Sequence, residues 1–184
     1  MKDNIFAYLP FEHDNTEYIN NLINYAREQS NKGSAESILA SAVIYTNLVE
    51  YLATHLLKNF KQMVYLLTYH QLQGVLFLKN TKSKGAPKTL GPLKNELECY
   101  EFPDKQDFLK DIIEFSNARN ALFHRLFEKD ENVTKLDVDL VKMQSLAEEI
   151  LAKYNVIITG ITTTWQNILT VPQSGTEKIK KDKK

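Results

Sequence analysis

The chain contains no glycine-rich phosphate loop, no two-His zinc helix and no nucleophile elbow. Its four histidines, His13, His55, His70 and His124, are therefore the first side chains to weigh. His55 and His70 fall among apolar neighbours at helical spacing, where a satisfied structural imidazole is the expected role, and His13 lies in the N-terminal segment. His124 differs because it closes the run Asn117-Ala118-Arg119-Asn120-Ala121-Leu122-Phe123-His124-Arg125. On a helix, Arg119 and His124 stand about 140° apart, and Asn120 lies at i, i+4 from His124, where side chains meet. Ile112, Phe115, Leu122 and Leu126 project within about 60° of Arg119, which puts a guanidinium in the apolar stripe. A charge there is costly alone, so Arg119 must meet a carboxylate such as Glu50, a second subunit or a bound anion. An always-charged fork and an imidazole on one helix are the residue types for anion binding and proton transfer.

These residues need a long helix, and the turn signals supply one. Residues 15–29 read as a first helix, with Tyr18, Leu22, Ile23 and Ala26 at helical spacing, closed by Asn31-Lys32-Gly33. Ser34 is the expected N-cap of a second, with Glu36 in its first turn and a stripe of Ile38, Ala42, Tyr45, Val49, Leu52 and Leu56. The pattern breaks or kinks near Asn59, and residues 61–79 read as a third, very apolar core helix. Gly85, Pro87, Gly91 and Pro92 make residues 80–92 a loop, followed by a short helical turn over 93–99. Pro103-Asp104 opens the motif-bearing helix, with Asp104 as cap, and it runs to about residue 129. Residues 130–132 interrupt it, and residues 134–154 form another helix carrying Leu136, Leu140, Met143, Ala147, Ile150 and Leu151. The β-branched run in residues 156–171 favours a strand, yet a strand needs a partner, so a short helix over 162–169 is the preferred reading. The expected architecture is an all-α bundle, one domain over residues 1–172 with a basic, disordered tail over 173–184.

Composition narrows the class. The chain has 184 residues, with 23 Lys+Arg balanced by 23 Asp+Glu, and 43% hydrophobic residues, which fits a single globular domain. No run approaches about 18 consecutive apolar residues, so no membrane span is expected, and the start lacks an apolar run of signal-peptide length. Cys99 is the only cysteine, which excludes an internal disulfide and suits a reducing cytoplasm. It is expected to serve packing. Neutral overall charge argues against coating nucleic acid by bulk electrostatics, so any such site must be local.

The segment RNALFHR resembles the signature of the HEPN superfamily (higher eukaryotes and prokaryotes nucleotide-binding domains). That signature is an Arg, four to six residues, then a His, with a polar residue directly after the Arg. Arg119, Asn120 and His124 match it with four residues between Arg and His. The likeness spans about residues 34–154, including the apolar helix pair and the TLGPLKNEL approach, although the specificity lies in the motif. After His124 comes Arg125-Leu126-Phe127, which departs from the variant with a Tyr-x-Tyr element, so control by tyrosine modification is not supported.

The resemblance implies a HEPN-like bundle and a metal-independent endoribonuclease with no cofactor, working in phage defence, a toxin–antitoxin pair or a stress response. RNA would be the partner, and an antitoxin or regulatory protein a further one. Arg119 would hold phosphate oxygens, His124 would move a proton or orient the 2′-OH, and Asn120 would position His124 or bond the phosphate. One Arg and one His make half a site, and the resemblance implies a homodimer with a composite cleft. Lys82, Lys84 and Lys88 in the central loop, with Arg125, are candidates for holding the RNA backbone. A non-catalytic dimeric binding module of the same fold is the alternative expectation.

Overall fold

A computed structural model of the chain describes residues 15–71, 89–126 and 133–170. They form five helices and, among the described residues, no strand: α1 (Asn15–Ser30), α2 (Ala35–Gln71), α3 (Leu90–Leu97), α4 (Lys105–Leu126) and α5 (Val133–Thr170). The fold is all-α.

α1 and α2 form an antiparallel pair because their four-residue connection turns sharply. Gly33 takes φ 64° there, a left-handed conformation open to glycine without a Cβ penalty. Ser34 then caps α2 as expected, in a reciprocal box. Its Oγ accepts from the Ser37 N–H at 3.2 Å, and its own N–H donates to Ser37 Oγ at 3.1 Å. Bonding to the Glu36 backbone N–H, then to Ser34, holds the Glu36 carboxyl below the usual range. Small residues let the two helices approach closely: Ser41 Oγ donates to the Ala26 carbonyl at 2.6 Å.

All six residues of the α2 stripe are fully buried, from Ile38 to Leu56, so this helix is the axis of the core. The stretch Ala35–Val64 is long and apolar enough to cross a membrane by length and composition, and half of the window that qualifies is buried against neighbouring helices. α5 runs parallel to α2, with Tyr154 against His55. α4 runs antiparallel to α5: Arg125 pairs with Asp139 near one end, and Lys153 with the buried Asp111 near the other. α3 packs on the far half of α2 through Lys61–Glu96 at 2.7 Å, and the ring of Phe60 meets Tyr100 and Phe102 just beyond it.

Three boundaries differ from expectation. α2 does not break at Asn59; that side chain is buried and its Nδ2 donates to the His55 carbonyl one turn back, at 2.8 Å. α3 begins at Leu90 and takes in Gly91 and Pro92, because a proline in the first turn gives up only a donor that has no helical partner. The β-branched end of the chain continues α5 to Thr170. Thr159, Thr162, Thr163 and Thr164 each donate a hydroxyl to the carbonyl four residues back, at 2.7 to 3.0 Å, which satisfies the hydroxyls within the helix. Asp104 precedes α4 with φ 55°, and its carbonyl accepts the first helical bond from the Phe108 N–H. Two side-chain expectations also change: Tyr18 and Cys99 are exposed. The expected interruption at 130–132, the far end of the third helix and the basic tail lie outside the described residues.

Candidate functional site

α4 is amphipathic with a mixed seam. Phe108, Ile112, Phe115 and Leu122 are buried, while Ile113, Asn117, Asn120 and His124 lie along its exposed face at i, i+4, i+7 and i+11. Arg119 stands at the boundary between the two faces. Its side chain retains 21% of its exposure, and Nη1 reaches Glu50 Oε1 of α2 at 3.4 Å. Of the three partners open to Arg119 from sequence, the structure supplies the carboxylate from the chain's own core helix.

The second contact was not legible from spacing. Arg119 Nε and Nη2 donate to Asn120 Oδ1 at 3.3 and 3.1 Å. Adjacent residues on a helix do not face each other, but the long Arg stem folds back far enough to reach its neighbour. Asn120 therefore orients Arg119, where the sequence suggested it would serve His124. A guanidinium has five N–H donors. Three are engaged by Asn120 and Glu50, which leaves one on each terminal nitrogen.

His124 is exposed one turn beyond Asn120, and its side chain has no hydrogen bond among the described residues. Its imidazole is open to a ligand. Arg125, a candidate for the RNA backbone, pairs with Asp139 from α5 and keeps 42% exposure. Lys82, Lys84 and Lys88 lie outside the described residues. No group of three His, Cys, Asp or Glu side chains among the described residues converges in a way that would hold a metal ion.

His55 occupies a separate cluster between α2 and α5. Tyr154 Oη lies 2.6 Å from its Nδ1, Asn59 Nδ2 lies 3.1 Å from the same nitrogen, and Tyr51 stacks on the ring. Burial, with the Tyr51 phenol next, pushes the Tyr154 phenol well above the usual tyrosine range. This is the structural role read for His55 from its apolar neighbours. Elsewhere Tyr45 lies fully buried against the exposed Arg27–Glu148 pair, and burial, then the Glu148 charge, pushes its phenol up to about 12. A groove between α1 and α2 is lined by Tyr18, Ile19, Leu22, Asn47, Leu48 and Tyr51, none of which belongs to the Arg119 site.

Comparison with protein-family models, with curated proteins and with solved structures gives no match.

Proposed function

We propose that this chain is a HEPN-type endoribonuclease that cuts RNA by attack of the 2′-OH, without a metal, at a composite site formed by two copies. The observation that carries the reading is the pairing, on one helix, of an oriented, always-charged Arg119 with an exposed His124 that has no hydrogen-bond partner among the described residues. RNA brings its own nucleophile, so the enzyme must move protons and stabilise a phosphorane-like anion. Arg119 has two unused N–H donors for phosphate oxygens. His124 has the side chain suited to proton transfer near neutral pH. The exposed line Ile113–Asn117–Asn120–His124 gives α4 a polar face with one exposed apolar side chain, on which a second copy would bring its own Arg119 and His124. Phage defence, a toxin–antitoxin pair or a stress response is the setting that suits such an enzyme in a cytoplasm.

A second reading has a specific observation behind it. The Arg119–Glu50 pair gives Arg119 a structural use, as it would have in a non-catalytic binding module. RNA cleavage by wild type and His124→Ala in EDTA separates the two. Cleavage lost with His124 supports the ribonuclease, and RNA left intact by the wild type supports the module.

A further inference from the structure

We infer that Glu50 is the general base of this site, taking the proton from the attacking 2′-OH while His124 delivers one to the leaving oxygen. The inference rests on the ribonuclease reading and adds the proton acceptor that one Arg and one His leave unnamed.

The chemistry sets the requirement. The 2′-oxygen forms a bond to phosphorus and loses its proton, the bond from phosphorus to the 5′-oxygen breaks, and that oxygen gains a proton. One acceptor and one donor must flank the phosphate. A single imidazole cannot hold both positions in the same step. With this chain's His124 as the donor, the acceptor is either the second copy's imidazole or a group already beside Arg119, and Glu50 is the carboxylate that lies there. Glu50 then ends the step protonated and His124 neutral, and exchange with water resets both.

Glu50 meets that requirement in three ways. It contacts Arg119 through one oxygen at 3.4 Å, a long hydrogen bond, so the carboxylate is beside the guanidinium without capping it. Its second oxygen has no partner among the described residues, and the side chain keeps 28% exposure, which leaves it accessible to a substrate. The guanidinium also links it to the motif face: Nη1 faces Glu50, while Nε and Nη2 face Asn120, one turn before His124. A phosphate on the two remaining N–H groups thus lies next to the carboxylate that α2 presents to Arg119. Arg119 is the charged group paired with Glu50 across the α2–α4 contact, and the nearby cation Arg125 is occupied by Asp139 of α5. A carboxylate that served only to hold Arg119 would do so better in a bidentate, shorter pair.

The test is single-turnover cleavage of an RNA oligonucleotide in EDTA across the acid and neutral pH range. Wild type, Glu50→Gln, Glu50→Asp and His124→Ala are compared, with thermal melts and binding of a 2′-deoxy-substituted oligonucleotide. Glu50→Gln is expected to lose ~10²–10⁴-fold in rate and the acid limb of the pH profile. It should still melt with the wild type and bind the uncleavable strand to within about twofold, a margin of less than half a kcal/mol. Glu50→Asp keeps the charge but withdraws it by one methylene, and should retain the acid limb at a rate ~10–100-fold lower. It decides the matter if Glu50→Gln does not fold. Undiminished cleavage by either variant while His124→Ala is inactive overturns the inference and leaves the ribonuclease reading standing, with the base supplied by the second copy. A wild type that cuts no RNA removes the ribonuclease reading and the inference with it.

Discussion

Arg119 and Glu50 meet at 3.4 Å with both side chains partly exposed, and this geometry sets how much the fold depends on them. Pairs that water can still reach contribute about 0–1 kcal/mol, whereas removing one partner of a fully buried pair costs ~3–5 kcal/mol. Arg119→Ala is therefore expected to cost about 1 kcal/mol or less in a denaturant melt while abolishing activity. A loss of several kcal/mol with cleavage intact would assign Arg119 to the fold instead. The tyrosines give a second residue-scale expectation. The Tyr45 and Tyr154 phenols are both raised by burial, Tyr45 to about 12. A group whose pKa is higher folded than unfolded contributes stability that is complete below the unfolded pKa, about 10 for tyrosine, and is lost as pH rises through the folded one. The urea midpoint should not respond to these two phenols below pH of about 10 and should fall above it. Their tyrosinate absorbance should appear together with unfolding. Normal early titration of all the tyrosines in the folded protein would contradict this.

At the scale of elements, the α1–α2 turn is the clearest case of one residue deciding a connection. A Cβ at Gly33 would meet nothing within 4 Å, so the cost of Gly33→Ala is the left-handed backbone alone. It should come to ~1 kcal/mol, read as a lowered melting midpoint with activity retained. The neighbouring Ser34 cap and the α2 stripe were readable in the sequence because each depends on local spacing. The two long helices were not. Asn59 and the threonines of α5 look like interruptions to a reading based on propensity. Each instead donates a hydrogen bond to a carbonyl four residues back, and packing of α2 against α5 keeps both helices continuous. In the site, Arg119's need for a partner followed from helical angle and the cost of a buried charge, which named Glu50 as one candidate. The Arg119–Asn120 contact did not, because it comes from the reach of a side chain and not from its place on the helix.

For the molecule as a whole, the proposal requires two copies. The exposed line from Ile113 to His124 on α4 should lie near the two-fold axis of a homodimer. Sedimentation at micromolar protein should give a dimer, and a charge placed at Ile113 should shift it to monomer and remove activity together. A monomer that cleaves RNA at full rate would rule out the composite cleft. The central claim is that Arg119 and His124 perform 2′-OH chemistry on RNA. The most direct measurement is the identity of the ends left when the protein cuts RNA in excess EDTA. The account predicts a 2′,3′-cyclic phosphate and a 5′-OH, no cleavage where the sugar at the cut site lacks its 2′-OH, and no cleavage by His124→Ala. EDTA-sensitive cleavage that leaves 5′-phosphates, or equal cleavage of DNA, would contradict it.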